Sequence, residues 1–264
     1  MIEAWGHTGD AEDRSAVSTK YPDAARKIAD KPRVAPDMTV LGLIGSGLIG
    51  GTVAKLAVDG GVDVVLSNSR GPETLETLVA ELGPRARAAT PEEAARAGDL
   101  VVVTVPFHVY RQMPHEALSG KVVLDTNNYY PGRDGAFPEL DARQTTSSEL
   151  LQRYLDGSRV VKVFNNIFFK HLAALARSSG APDRSALPIA GDDAEAKSQA
   201  TALLDQLGYD AVDAGPLAEG WRFQPGTPVY GPPYAEGNSE DFVTAPAAPA
   251  PAARIIAALA AATR

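Results

Sequence analysis

The chain has no cysteine. Disulfides, thiolate metal sites and a cysteine nucleophile are thereby excluded together. No apolar run is long enough to cross a bilayer. There is no basic run either, and the formal net charge is −8. Nucleic acid and anionic membrane surfaces are therefore not expected as partners. No Ser/His/Asp order and no metal-ligand spacing stands out, so no metal site is expected. The opening residues, MIEAWGHTGDAEDRSAV, lack the basic-then-apolar pattern of a secretory signal, and the expected location is cytoplasmic. What remains is the balance of a soluble globular protein, 44% hydrophobic and 22% charged, at a length of 264 residues that one large α/β domain can reach.

The densest information lies in residues 39–70, TVLGLIGSGLIGGTVAKLAVDGGVDVVLSNSR. An apolar run from Val40 to Ile44 enters Gly45-Ser46-Gly47-Leu48-Ile49-Gly50. A helical stretch to about Asp59 and a second apolar run, Val62 to Leu66, follow. This is strand, glycine turn, helix, strand. Gly45 allows the tight turn, Gly47 lets a pyrophosphate approach the backbone, and Gly50 lets the helix pack on the strand. The helix N-terminus offers unpaired N–H groups and the positive end of a dipole to phosphate. A glycine-rich turn without a ligand accounts for Gly45 but not for this spacing of three.

The second strand ends in Ser67-Asn68-Ser69-Arg70, where NAD sites place Asp or Glu. Hydroxyls and a guanidinium suit a 2′-phosphate, so NADP(H) is expected over NAD(H).

Residues 1–38 read as a partly disordered appendage, 39–217 as the NADP-binding domain, and 218–264 as an aromatic, proline-rich segment with a linker and a short terminal helix. Across the middle portion strands alternate with helices. Leu100 to Val105, Lys121 to Leu124, Val160 to Phe164, Leu187 to Ala190 and Asp210 to Asp213 read as strands. The fold class expected is α/β, a Rossmann-like doubly wound parallel sheet with a small irregular C-terminal extension. In such a sheet the ligand lies beyond the carboxyl ends of the strands. That edge brings together Thr104-Val105-Pro106-Phe107-His108, Asp125-Thr126-Asn127-Asn128 and Phe164-Asn165-Asn166. Thr104, Val105, Pro106 and Asn127 are candidate cofactor contacts. His108 is a weak candidate for a general acid or a substrate contact. Tyr129 and Tyr130 do not make a Tyr-x-x-x-Lys pair, and no proton-transfer apparatus is evident. The segment Trp221 to Tyr234 reads either as a cover over the hydride-accepting ring or a dimer neighbour's site, or as an apolar seal of the domain or an interface.

Together IGSGLIGGTVA, SNSR, VVVTVPFH, VVLDTNNYYP, VVKVFNNIFFKHL and GYDAVDAGPL resemble the NADP oxidoreductases dependent on coenzyme F-420, an 8-hydroxy-5-deazaflavin. The resemblance implies a dimeric enzyme moving hydride between NADPH and a deazaflavin. It places Ser46, Ser69 and Arg70 near NADP and Val105 and Pro106 near the nicotinamide. It sets Asn165, Asn166 and Ile167 at the border of the deazaflavin. The co-substrate expected is coenzyme F-420, a flavin or another small hydride acceptor. A hydride step between stacked rings needs orientation more than a side-chain acid. The alternatives are an imine or carbonyl reductase of the β-hydroxyacid dehydrogenase type and a non-catalytic NADPH-binding module.

Overall fold

The computed structural model describes residues 40–264. The expectations for residues 1–38 lie outside the described residues. In chain order the elements begin β1 (Val40–Ile44), α1 (Leu48–Asp59), β2 (Asp63–Ser67), α2 (Glu76–Leu82) and β3 (Ala86–Ala88). They continue with α3 (Pro91–Ala97), β4 (Leu100–Val103), α4 (His115–Leu118), β5 (Val122–Asp125), and the single turns α5 (Pro131–Asp134) and α6 (Pro138–Asp141). The remainder is α7 (Ser147–Tyr154), β6 (Arg159–Lys162), α8 (Phe169–Ala174), β7 (Ala186–Gly191), α9 (Ala194–Gln206), β8 (Asp210–Asp213) and α10 (Ala252–Ala261). Short 3₁₀ turns fill several connections, including Phe107–Gln112 and Leu217–Phe223.

The eight strands form one sheet in the order β3-β2-β1-β4-β5-β6-β7-β8. The first six run parallel, and the order reverses at β1, which is the doubly wound arrangement. Alternate residues of the central strands feed opposite faces. Leu41, Leu43, Val102 and Leu124 point into one core, and Ile44, Val101, Val103 and Val123 into the other. That two-sided burial is why these strands read as unbroken apolar runs. The helices start where the sequence provides caps. Thr90 and Glu93 close a capping box on α3, and Thr146 and Glu149 do so on α7.

Two expectations need correction. The sheet is not wholly parallel: β7 runs antiparallel to β6, and β8 follows β7. The register pairs Val161 with Gly191 and Lys162 with Ala190, so the start of β7 projects past the carboxyl end of β6. β7 therefore starts on the ligand edge and runs away from it. Strand β6 also stops at Lys162, short of Phe164. Phe164 has φ of 63°, a left-handed conformation that a bulky residue rarely adopts and that ends the strand.

The C-terminal segment packs into the body of the protein. Phe223, Val229, Tyr234, Ala250, Ile255 and Leu259 join the core that contains Leu41. Burying such side chains contributes roughly 1.5–3 kcal/mol each. Residues 245–251 form no regular element but are pinned by an Ala235–Ala247 bridge and by the Ala186 N–H bond to the Ala250 carbonyl. No helix among the described residues is long and apolar enough to cross a membrane.

Candidate functional site

Strand register puts Ser67, Ile44, Val103, Asp125 and Lys162 on one level across β2, β1, β4, β5 and β6. The residues just beyond this row line a cleft of about 490 Å³. Gly47, Leu48 and Ile49, Thr104 to Pro106, Thr126 to Asn128 and Phe164 to Phe169 all contribute to its lining. Strands lie about 4.8 Å apart, so the edge reads as a linear sequence of positions.

The three glycines of the turn separate by geometry. A Cβ on Gly45 would sit 2.1 Å from the Thr104 carbonyl oxygen, and its φ is +103°. A Cβ on Gly50 would sit 2.2 Å from the Gly45 carbonyl oxygen. Both are required by the protein's own packing. A Cβ on Gly47 would meet nothing within 4 Å, and its backbone is extended. No contact of the fold itself fills the place of a side chain at Gly47. Gly47 caps α1 with no side-chain hydrogen bond, and the first turn holds no acidic residue. Its N–H groups are open to a phosphate. Leu48, the first residue of the helix, is 67% exposed on the cleft. Ser46 ties the turn to β2 by donating from Oγ to the Ser67 carbonyl at 2.9 Å.

In the SNSR turn, Asn68 shapes the backbone. Its Oδ1 accepts from the Arg70 and Gly71 N–H groups at 2.8 and 3.0 Å, and its amide donates to Thr74. Ser69 and Arg70 are exposed beside the glycine turn, where the Gly45 N–H bonds the Ser67 carbonyl. One carboxylate stands near this turn. Glu73 folds back on Gly71, its Oε1 2.4 Å from where a Cβ would be. Arg70→Ala should weaken NADPH binding by roughly ten- to a hundredfold and NADH binding far less. Parallel titrations with the two cofactors check this; equal losses would make Arg70 structural.

At the centre, the Val105 N–H leaves the strand ladder and donates to Asn127 Oδ1 at 3.0 Å. The Asn127 N–H donates to Asp125 at 2.9 Å, and the Asn127 carbonyl accepts from Lys162 Nζ at 2.9 Å. With those three groups fixed, Asn127 Nδ2 is a buried donor with no partner in the cleft. That is the chemistry a nicotinamide carboxamide oxygen needs. Beneath it, Lys162 is 1% exposed and Asp125 0%. Lys162 Nζ donates to Ser148 Oγ at 3.0 Å, and Ser148 Oγ donates to Asp125 at 2.6 Å. Burial pushes the Lys162 ammonium below its ordinary pKa, and Asp125 opposes that shift.

Asn165 and Asn166 spend their amides inward. Asn165 Nδ2 donates to the Phe223 carbonyl at 2.8 Å, and Asn166 Nδ2 to the Val229 carbonyl and the Tyr234 hydroxyl at 3.1 and 3.0 Å. They bolt the C-terminal segment to the sheet edge, leaving both Oδ1 atoms without partners. Ile167 lines the cleft with Phe168 and Phe169. The aromatic segment divides in use. Tyr230 faces the cleft, Phe223 and Tyr234 are core, and Trp221 lies under the Arg222 and Arg264 guanidinium groups beside a separate hollow.

His108 is not among the cleft residues. Its Nδ1 lies 3.0 Å from Asp134 Oδ1, outside the row of strand ends. Asp134 is fully buried and also binds Arg133. Burial alone would raise its pKa, but the Arg133 and His108 bonds and the Tyr130 N–H hold it well below the usual carboxylate range. Sequence reasoning missed Tyr130, Arg133, Phe242 and Val243, which all line the cleft. The YYPGRD stretch offered the first two as a signal; nothing local marked the last two.

A doubly wound sheet, an uncapped helix beyond a glycine turn and a free guanidinium at the second strand define the class: an NADP-dependent oxidoreductase. Residues 40–129 match the family described as NADP oxidoreductase, coenzyme F420-dependent, which bears out the resemblance over that portion. Among solved structures, the hypothetical protein SMa0349 of Sinorhizobium meliloti is 28% identical with a TM-score of 0.62, over 72% of this chain and 91% of that one. A candidate F420-dependent NADP-reductase of Arthrobacter sp. FB24 is 26% identical with a TM-score of 0.57, over 68% and 85%. No curated protein matches the chain.

Proposed function

We propose that the protein transfers hydride between NADPH and a planar conjugated acceptor of the deazaflavin or flavin type. The observation that carries this reading is the continuity of the cleft. Its lining joins the open backbone at Gly47 with Phe164, Ile167, Phe168, Phe169 and Phe242. An apolar, aromatic wall suits a flat ring laid against the nicotinamide.

NADPH, when bound, supplies the hydride. The chain's own residues orient and enclose. Gly45 to Gly50 and the start of α1 hold the pyrophosphate, and Ser69 and Arg70 the 2′-phosphate. Asn127 fixes the carboxamide, with Thr104, Val105 and Pro106 against the ring. Asn165, Asn166 and Ile167 form the far border, by backbone and apolar contact. Holding two rings in register supplies most of what such a step needs. A homodimer and a cytoplasmic location belong to the same proposal, carried by the resemblance and the sequence.

The test is NADPH oxidation with deazaflavin, FMN and a ferric chelate offered separately. Oxidation with one or both ring acceptors and none with the chelate alone is expected. Stoichiometric NADPH binding with no oxidation by any acceptor would make the protein a binding module.

A further inference from the structure

Tyr130 follows the end of β5, and Tyr230 comes from the C-terminal segment. Their hydroxyl oxygens lie 2.5 Å apart in the wall of the cleft. Each phenol carries one proton. One proton is shared between the two oxygens, so the pair keeps one O–H for the cleft. Either oxygen can donate within the pair. With Tyr230 as the donor, the O–H left for the cleft is that of Tyr130. Burial, then the bond to Tyr130, raises the Tyr230 phenol above its ordinary pKa, so Tyr230 keeps its proton when Tyr130 gives one up.

The surroundings of Tyr130 do more than join two segments. The Arg133 guanidinium lies over its ring, Cζ 4.8 Å from the centroid. Arg133 is locked there by bonds to both Asp134 oxygens at 2.9 and 2.8 Å and to the Asn128 carbonyl at 2.8 Å. The same buried carboxylate accepts the Tyr130 N–H at 2.9 Å. Phe242 packs edge-on against Tyr230 with ring centroids 5.8 Å apart. A strap between two segments needs only the oxygen–oxygen bond. A cation over the ring and a second hydroxyl on the oxygen are what stabilise a phenolate.

We propose that Tyr130 is the proton donor to the hydride acceptor, and that Tyr230 and Arg133 hold the phenolate it leaves. The proposal rests on the hydride-transfer reading and adds to it. As the hydride reaches the acceptor, an electron pair moves through the conjugated system to a ring nitrogen or carbonyl oxygen. That atom takes the Tyr130 phenolic proton. The O–H bond of Tyr130 breaks, and the phenolate regains a proton from water. NADPH, one proton and the acceptor give NADP⁺ and the acceptor reduced by two electrons.

The test compares Tyr130→Phe with Tyr230→Phe in the full chain, using a deazaflavin as acceptor. Both variants lose the bond between the hydroxyls; only the first loses the donor. Tyr130→Phe should lower kcat by roughly a hundredfold or more and abolish the solvent isotope effect, with NADPH titration unchanged. Tyr230→Phe should cost far less and keep the isotope effect. Deazaflavin binding, read by fluorescence without NADPH, should weaken several-fold in Tyr130→Phe. Equal kcat losses in the two variants, a retained isotope effect in Tyr130→Phe, or unchanged deazaflavin binding would overturn the proposal. If the wild type oxidises no NADPH with any acceptor, the hydride-transfer reading falls, and this proposal with it.

Discussion

Gly47→Val is expected to cost at least about a hundredfold in NADPH binding with only a small change in melting temperature. The reason is the asymmetry of the glycine turn. Gly47 has φ −77° and ψ −160°, a conformation any residue adopts, and a Cβ there points into open space. The added isopropyl group meets no part of the fold and costs only the preference for glycine over valine at a helix N-cap, while in the proposed site it fills the place of the phosphate at the N-terminus of α1. Gly50→Val reverses the pattern. Its Cβ would lie 2.2 Å from the Gly45 carbonyl oxygen and 2.8 Å from Thr104 Cγ2, so α1 must lift off β1 and β4. Overpacking of that kind typically costs about 1–3 kcal/mol. NADPH titration beside thermal melting separates the two variants. Micromolar NADPH binding in a folded Gly47→Val protein would remove the glycine turn from the site.

Asp125→Ala is expected to destabilise the protein by about 3–5 kcal/mol, a large share of the stability of an ordinary domain. Lys162 is cross-strand from Asp125, with Nζ 3.9 Å from Oδ2 and the whole side chain at 1% exposure. Without the carboxylate, a buried ammonium keeps only the Asn127 carbonyl and the Ser148 hydroxyl as partners. It cannot swing out, because its stem packs so closely on Gly220 that a Cβ there would lie 2.8 Å from Lys162 Cδ. Pairing Asp125→Leu with Lys162→Met should recover part of the loss, since removing both charges avoids the uncompensated one. Recovery stays partial because the Asn127 N–H and carbonyl lose partners. Denaturant melts measure both; a loss under about 1 kcal/mol for Asp125→Ala would mean that water reaches Lys162.

The glycine turn was legible because its constraints are local. The spacing of Gly45, Gly47 and Gly50 is imposed by one strand, one turn and one helix. The cap at Thr90 and the apolar run from Leu100 are local in the same way. The reversal of β7 was not legible, because it depends on where the chain emerges after Phe164. That exit is set by the Asn166 bonds to Val229 and Tyr234, more than sixty positions away. Asp125 stood in the sequence only as one of the strand-end residues of the ligand edge. It accepts the Asn127 N–H, and its burial with Lys162 follows from strand register, which no local pattern reveals. Tyr130 and Tyr230 are 100 residues apart, so their pairing shows in neither segment read alone.

The central claim is direct hydride transfer across the cleft, and isotopic labelling tests it most closely. NADPH carrying deuterium at C4, on one face and then the other, is oxidised with a deazaflavin as acceptor. The account predicts deuterium in the reduced deazaflavin from one labelled face only, because the cleft fixes which side of the nicotinamide meets the acceptor. Deuterium released to water from either face, or transferred equally from both, would contradict it.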